Sequence, residues 1–214
     1  MNVQPIVEGY GEVEAVPVLL RRLRDEASAF VVEVGRPIRR TRSELVQEAA
    51  VRRAVKLALM QPDCGAILII FDSDDDCPKE LAPLIEGWAR AEFGDVPCAV
   101  VMAHREYEAW FLGALASLRG RRGIRQDAHD HPEPERPRSA KGALEDNMLP
   151  GRTYSETADQ APLTAAFDMA RAFGRCRSFR RMVCAFGAVL VEAGICLGAW
   201  PPSAWGHRPP YPSS

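Results

Sequence analysis

Four carboxylates lie within five residues, directly after a stretch that is apolar throughout. The stretch is GAILIIF, residues 65–71, and the acids are Asp72, Asp74, Asp75 and Asp76. Carboxylates this close repel one another, and each raises the pKa of its neighbours. Because a bound cation would relieve that repulsion, the spacing predicts a cation site. The alternative is a solvated turn in which one or two of the acids cap the following helix.

The residues around these acids limit which cations the predicted site could bind. An EF-hand loop beginning at Asp72 would need Gly at its sixth position and Glu at its twelfth, where the chain has Cys77 and Pro83. Zinc is disfavoured, because a cluster of carboxylates alone is hard and rich in oxygen. The Gly-Tyr-Gly at 9–11 is no phosphate-binding loop, because no Gly-Lys pair follows it. The acids therefore predict Mg²⁺ or Mn²⁺.

Alternating strands and helices must position these acids. Apolar runs and helical periodicity predict strands at 3–9, 30–35, 65–71 and 97–104, and helices at 12–26, 43–61, 78–93, 105–115 and 140–149. This alternation predicts an α/β fold of Rossmann-like type, a mostly parallel sheet of about four strands flanked by helices.

Acidic residues follow three of the four predicted strands. Glu8 ends the first strand, the Asp72 group ends the third, and Glu106 and Glu108 follow the fourth. Ligands of parallel sheets bind at the carboxyl ends of the strands, so these acids should converge on one edge. A Glu and an Asp-x-Asp at neighbouring strand ends can share one or two divalent ions that bind phosphate oxygens.

The chain divides into four parts by composition. Residues 1–118 form the α/β core, and residues 119–142 are a charged, Pro- and Gly-rich loop or insertion with almost nothing to bury. Residues 143–198 are a helical carboxy-terminal extension packed on the core, with two helices over 159–194 split near 174–178. Residues 199–214 are a Pro-rich tail.

Charge is unevenly distributed along the chain. Residues 1–118 contain 13 Lys and Arg against 19 Asp and Glu, whereas residues 119–214 contain 14 against 10. An acidic first part followed by a basic second part suits a metal site beside an anion-binding surface. The clustered arginines that we assign to nucleic-acid phosphates are Arg175, Arg177, Arg180 and Arg181. The alternative is an ordinary amphipathic helix face.

Several motifs together resemble a family of small bacterial Toprim-related proteins of unassigned function. The motifs are VEGYGEVEAV (7–16), FDSDDDCP (71–78), AHREYEAWFLG (103–113), the Lys141 segment, DQAPLTAAFD (159–168) and SFRRM (178–182). The first two are similar to the glutamate and Asp-x-Asp motifs of the Toprim fold, which topoisomerases, bacterial primases and the nuclease half of OLD-family proteins share. The resemblance implies a Toprim-like core and metal-dependent phosphodiester chemistry.

The resemblance also assigns roles to individual residues. It implies that Glu8 is an acid/base or metal ligand and that Asp72 and Asp74 bind metal. Asp76 and Glu108 are our candidates for the further acids of a two-metal site. OLD-like nucleases use a lysine near the scissile phosphate, which makes Lys141 a catalytic candidate, with a solvent-exposed loop lysine as the alternative.

The leading hypothesis is a nuclease that hydrolyses DNA or RNA with Mg²⁺ or Mn²⁺. The resemblance to OLD-type effectors implies a separate ATPase partner in an anti-phage or mobile-element system. Two alternatives stay open: a non-catalytic metal-binding subunit or binding module of an ATPase complex, and a nucleotidyl or glycosyl transferase that uses Asp-x-Asp. The sequence does not fix an oligomeric state.

Targeting signals and cysteine usage predict a cytoplasmic protein. Met1 leads quickly into a charged segment, and no window of 18 residues is both apolar and uncharged. The six cysteines form no C-x-x-C pair and have no histidine at zinc-finger spacing. We therefore expect reduced thiols and no membrane contact.

Overall fold

The computed structural model describes residues 1–92 and 96–206. It contains a five-stranded sheet in which every pairing is parallel, with helices on both faces and a helical carboxy-terminal region. The predicted α/β class is confirmed, with one strand more than expected. The strands are β1 (Asn2–Val7), β2 (Glu33–Val34), β3 (Ile38–Arg39), β4 (Cys64–Asp72) and β5 (Cys98–Ala103).

The helices follow the strands along the chain. They are α1 (Tyr10–Glu26), α2 (Arg42–Leu45), α3 (Glu48–Leu59), α4 (Pro78–Glu92), α5 (Ala109–Gly113), α6 (Ala140–Glu145), α7 (Ala161–Ala166), α8 (Met169–Arg175) and α9 (Arg177–Glu192). A π-helical turn spans Glu156–Gln160, and 3-10 helices span Leu115–Leu118 and Ser203–Trp205.

The sheet order is β2-β1-β4-β5, and β3 also pairs with β1 beyond β2. Within the predicted strand 30–35 only Glu33–Val34 form a strand, β2, and β3 is a further short strand beyond the predicted end. Pro5 provides the physical reason for the gap between β2 and β3. Proline has no backbone N–H to donate to a neighbouring strand. β2 pairs with β1 as far as Val3, and β3 pairs with β1 from Ile6 onwards. Between these pairings the side chain of Gln4 donates to the Arg36 carbonyl at 2.6 Å instead.

The two faces of the sheet bury different sets of side chains, because successive residues of a strand point to opposite sides. On one face Val7, Leu68 and Ile70 pack in a core shared with α1, α5 and α9. On the other face Ile69 and Phe71 pack against α3 and α4. β4 is therefore covered on both sides, as its continuous apolar run predicts.

Several predicted helices differ from the structure, and the first of the two predicted over 159–194 is divided at Phe167 and Asp168 into α7 and α8. The predicted helix 43–61 is broken into α2 and α3, and it begins after the N-cap Thr41, to which Glu44 returns in a capping box. The predicted helix 105–115 begins only at Ala109, because Arg105 has a positive φ of 61° and the chain turns there.

The segment 119–142 contains no strand and no helix before Ala140, but the expectation that it has almost nothing to bury is wrong. Ile124 and Ala128 are both 1% exposed and belong to the core. Glu135 accepts hydrogen bonds from the backbone of Arg177 and Ser178, which caps α9. Within the Pro-rich tail, residues 207–214 lie outside the described residues.

Within residues 1–92 and 96–206, no helix is both long and apolar enough to cross a membrane. All six cysteines are unpaired, which agrees with the thiols expected from the sequence.

Candidate functional site

Glu8 and Asp72 lie side by side where β1 and β4 end. The strand register pairs Val7 with Ile70, so both strands deliver their next residues to the same edge of the sheet. Glu8 is half-buried, and its Oε2 atom is buried without a hydrogen-bond partner. Burial raises the pKa of Glu8, with Arg42 acting in the opposite direction. The predicted convergence of these two strand ends is therefore correct.

Asp72 is a carboxylate at the end of β4 whose charged form is disfavoured by burial and by neighbouring acids. Its Oδ1 accepts a hydrogen bond of 2.8 Å from the backbone N–H of Tyr107. Burial raises the pKa of Asp72 well above its usual value, and Glu12 and Glu108 raise it further. A group in this position favours either a proton or a nearby positive charge.

Glu108 is fully buried beside this strand end. Its Oε1 accepts hydrogen bonds from the hydroxyl of Tyr154 at 2.7 Å and from Nε2 of Gln160 at 3.0 Å. Its Oε2 is buried without a partner. Burial raises the pKa of Glu108, and Lys141 partly offsets that effect. A buried carboxylate oxygen without a donor is costly, which marks this position as unusual for a purely structural acid.

Lys141 supplies the positive charge of the site. Its Nζ lies 2.6 Å from Oε1 of Glu156, while its backbone N–H donates to Glu106 at 2.8 Å. Burial lowers the pKa of Lys141, but Glu108 and Glu156 outweigh burial and the net pKa is raised. The reading of Lys141 as an exposed loop lysine is wrong, since the residue is partly buried at the start of α6.

Glu12 belongs to the site although the sequence reasoning missed it. It is 5% exposed, and its Oε2 accepts hydrogen bonds from the backbone N–H groups of Glu8 at 2.9 Å and Gly9 at 2.6 Å. Burial raises its pKa to about 7. The available signal is the spacing, because Glu12 lies one helical turn after Glu8 where an acid caps a helix start.

The raised pKa of Glu12 predicts a stability that falls as the pH rises. Below the usual pKa of 4.5 the carboxyl is protonated in both states, but up to about pH 7 only the folded protein keeps that proton. In metal-free buffer we expect the free energy of unfolding to drop by about 2 kcal/mol between about pH 5.5 and pH 7.5. Urea unfolding at the two pH values measures this.

The substitution Glu12→Gln should flatten that pH dependence, whereas Glu14→Gln, on the exposed side of the same helix turn, should leave it unchanged. An unfolding free energy that rises over this range, or equal slopes in both variants, would contradict the assignment to Glu12.

The three acids after Asp72 are not gathered with it. Asp74 has a positive φ of 48°, is exposed, and lies 3.7 Å from Nε of Arg42. It reaches the site only through its electrostatic effect on Glu8. Asp76 is exposed and bonded to Arg42, while Asp75 is paired with arginines elsewhere on the surface. Asp75 and Asp76 are thus exposed and ion-paired, as in the solvated-turn alternative, and metal binding by Asp76 stays a prediction.

The π-helical turn packs directly against the start of α1. A Cβ atom on Gly11 would lie 2.4 Å from Oε1 of Gln160 and 2.8 Å from the backbone carbonyl of Glu156. No side chain fits there without displacing the turn. Because Gln160 donates to Glu108, the glycine lets the turn approach the site.

We expect Gly11→Ala to lower the free energy of unfolding by about 2 kcal/mol, because overpacking against backbone costs about 1–3 kcal/mol. Urea unfolding measures the change. The matched control is Gly87→Ala in α4, where an added Cβ meets no atom within 4 Å. That variant should be more stable by about 0.5–1 kcal/mol. Equal effects in both helices would refute the close approach at Gly11.

Asp159 holds the π-helical turn in place. It is fully buried and accepts hydrogen bonds from Nε of Arg122 at 2.8 Å, Nη2 of Arg152 at 3.1 Å and the backbone N–H of Ser155 at 3.0 Å. Two arginines from different segments therefore converge on one carboxylate. Gln160, the next residue in the chain, donates to Glu108, so the ion pairs of Asp159 hold one side of the site in place.

Of the four arginines that the sequence assigned to nucleic acid, Arg175, Arg180 and Arg181 have partners within the protein. Arg175 donates to the His131 carbonyl, Arg180 donates to the Phe173 carbonyl at 2.8 Å, and Arg181 lies 3.9 Å from Glu86. Arg177 is exposed at the start of α9. Their role in binding nucleic acid stays a prediction.

In the structure the predicted metal ligands do not form a coordination shell. Over the part of the chain that the structure describes, no three His, Cys, Asp or Glu side chains are grouped so that they could hold a metal ion. Instead, the Lys141 ammonium pairs with Glu156 and acts electrostatically on Glu8, Asp72 and Glu108. Metal binding therefore stays a prediction for these residues.

One comparison with known proteins gives a match. A model of a family described as a domain of unknown function (DUF4276) matches residues 7–186, which include every residue of the site. No curated protein and no solved structure matches the chain.

Proposed function

The chain belongs to the DUF4276 family, and from that premise we propose that it is a metal-dependent hydrolase of nucleic-acid phosphodiesters. One observation carries the proposal: carboxylates at or after the ends of three adjacent strands, β1, β4 and β5, lie near the carboxyl edge of a parallel sheet, and two of them have buried oxygens without partners. These are Oε2 of Glu8 and Oε2 of Glu108. This edge is where α/β sheets bind their ligands.

The chemistry of the donors fits Mg²⁺ or Mn²⁺. Carboxylate oxygens are the ligands that these hard cations prefer, and a cation would lower the raised pKa values of Asp72 and Glu108. Glu8, Asp72 and Glu108 would hold the ion, with Asp74 at the rim. When bound, the ion supplies Lewis acidity to a phosphodiester. Binding would draw side chains together that now repel one another.

The protein's own residues perform the remaining tasks. The ammonium of Lys141 lies among the acids and can donate to a phosphate oxygen as negative charge develops there. Burial raises the pKa of Glu8, which suits a group that must both accept and release a proton. Tyr154 and Gln160 hold Glu108 in one orientation.

The sequence resemblance supports the same reaction class. The motifs around Glu8 and Asp72 are similar to those of Toprim nucleases, in which a glutamate and an Asp-x-Asp pair follow two strands. Together with the OLD-like arrangement, this supports a separate ATPase partner in a bacterial defence or mobile-element system. Co-purification of a co-expressed neighbouring ATPase tests the partner separately from the chemistry.

The direct experiment is cleavage of plasmid, single-stranded DNA and RNA with Mg²⁺ or Mn²⁺, alongside calorimetric titration of Mn²⁺ into the protein. Cleavage that requires the metal, together with saturable Mn²⁺ binding, is the expected result. Absence of both Mn²⁺ binding and cleavage, with any ATPase partner supplied, would overturn the proposal.

A second function is favoured by Lys141. Its ammonium already neutralises part of the acidic cluster, so the cluster is also consistent with a binding module whose charges are balanced internally. Such a module would serve as a non-catalytic subunit of an ATPase complex. Partner binding without Mn²⁺ binding would favour this second function over hydrolysis.

A further inference from the structure

Four arginines lie within seven residues beside Glu8. The segment 36–42 reads RPIRRTR, and within it β3 pairs with the end of β1 so that Arg39 lies opposite Val7. The segment therefore leaves the sheet at the same edge as the acidic cluster. Sequence reasoning placed the nucleic-acid surface on arginines of α8 and α9 and gave this segment no role.

Among the described residues, three of these arginines have no carboxylate ion-pair partner, and two of the three, Arg39 and Arg40, lie where the pairing of β3 with β1 ends. Throughout the described ranges, no acid lies within ion-pair distance of Arg39 or Arg40, whereas Arg42 bonds to the Asp72 carbonyl and to Asp76. Glu44, the nearest acid along the chain, is bonded to the N–H and hydroxyl of Thr41. Unpaired guanidinium groups at a ligand-binding edge are suited to phosphate.

Tyr10 adds an aromatic surface next to these charges. It is 68% exposed, although it lies only two residues after Glu8. The guanidinium of Arg39 lies over the ring at 4.1 Å from its centroid, and Arg39 also donates to the Glu8 carbonyl at 3.4 Å. One face of the ring is thus covered by a cation, and the ring is held at the rim of the site.

We infer that Tyr10, Arg39 and Arg40, which we call the rim surface, bind single-stranded nucleic acid. A base stacks on Tyr10, and the flanking phosphates contact Arg39 and Arg40. This arrangement leads the adjoining phosphodiester to Glu8 and Lys141. The inference rests on the proposed function and specifies its substrate class.

Single strands are favoured over duplexes by the geometry of stacking. Both faces of a base in a duplex are already covered by its neighbours, so an aromatic side chain at a site's rim can take only an unstacked base. Aromatic rings interleaved with cations bind single strands without reading sequence, because every base offers a flat face.

Fluorescence anisotropy with a labelled oligothymidylate and a labelled duplex tests the rim surface. The measurements are made in EDTA, so that no metal and no cleavage is needed. We expect the wild type to prefer the single strand, and Tyr10→Ala to weaken that binding about tenfold. Tyr10→Phe keeps the ring and should bind as the wild type does.

Salt dependence separates the arginines from the ring. Replacing both Arg39 and Arg40 by Gln should reduce the slope of log K against log salt by about 1.4, since each phosphate contact contributes about 0.7 for single strands. Arg21→Gln, an exposed arginine on α1, and Arg181→Gln should leave the slope unchanged.

The outcomes distinguish this inference from the proposed hydrolysis. Weakened binding in Tyr10→Ala and in the double arginine variant supports the rim surface even if no metal-dependent cleavage is found. No binding by the wild type, equal binding of duplex, or affinity lost only in Arg181→Gln would overturn it. Metal-dependent cleavage with unchanged binding in the rim variants would leave hydrolysis standing and refute the rim surface.

Discussion

Asp72→Asn is expected to reduce Mn²⁺-dependent cleavage at least about a hundredfold while leaving the folded protein as stable as the wild type or more stable. The asparagine oxygen can still accept the hydrogen bond from the Tyr107 N–H. Asparagine lacks the negative charge that a metal ligand provides. The loss of such an interaction lowers the reaction rate by about 10²-fold or more. Initial cleavage rates and the melting temperature in EDTA are the two measurements.

The expected stability of Asp72→Asn follows from the electrostatic repulsion between Asp72 and its neighbouring acids. Burial, Glu12 and Glu108 all disfavour the charged form of Asp72, so removing its charge relieves an unfavourable interaction in the folded state. Residues of functional sites often lower the stability of the fold while they support activity, and Asp72 is expected to follow this pattern. A fall in melting temperature would indicate that Asp72 has a structural role instead.

The matched control is Asp75→Asn, three residues further along the same turn. Asp75 is exposed and bridges Arg105 at 3.0 Å and Arg138 at 3.3 Å on the surface. We expect its cleavage rate to stay within about threefold of the wild type, since exposed ion pairs contribute little. Equal losses in Asp72→Asn and Asp75→Asn would show that the assay responds to the turn rather than to the buried carboxylate.

Asp159→Ala is expected to lower the free energy of unfolding by about 3 kcal/mol. Breaking a buried ion pair by removing one partner costs about 3–5 kcal/mol, and the lower end applies because Arg122 and Arg152 are only half-buried. Urea unfolding monitored by tryptophan fluorescence measures the change. Asp146→Ala, an exposed acid at the end of α6, should change stability by less than about 0.5 kcal/mol.

The substitution Asp159→Ala should also disturb the candidate site. The π-helical turn that it anchors carries Gln160, which donates to Glu108. Asp159→Ala should therefore reduce cleavage even under conditions where the variant is fully folded. An intact cleavage rate in a destabilised variant would contradict the positioning of Glu108 by this turn.

Much of the fold could be predicted because the sequence pattern is local. β4 is apolar along its whole length, and α4 begins at Pro78, a residue suited to the first helical turn. The start of α2 after Thr41 was missed, although Thr41 and Glu44 carry a capping-box signal. The gap between β2 and β3 depends on Pro5 in another strand, which no local window contains.

The site was predictable only where its residues end strands. Glu8 and Asp72 follow apolar runs, and the parallel topology then brings them together. Tyr154 and Gln160 come from the carboxy-terminal region, and their contact with Glu108 is a tertiary contact that neither spacing nor composition encodes. The arginine partners of Asp75 and Asp76 are equally distant in sequence, so four adjacent acids looked alike although only one lies at the centre.

The site's residues are widely separated along the chain, and this has a consequence for protein synthesis. Glu8, Asp72 and Glu108 leave the ribosome before Lys141 and before the turn that ends at Gln160. At elongation rates of about 5–20 residues per second, the nascent chain spends seconds with its carboxylates but without their lysine. The site is therefore assembled only near the end of translation, so incomplete chains carry no finished site.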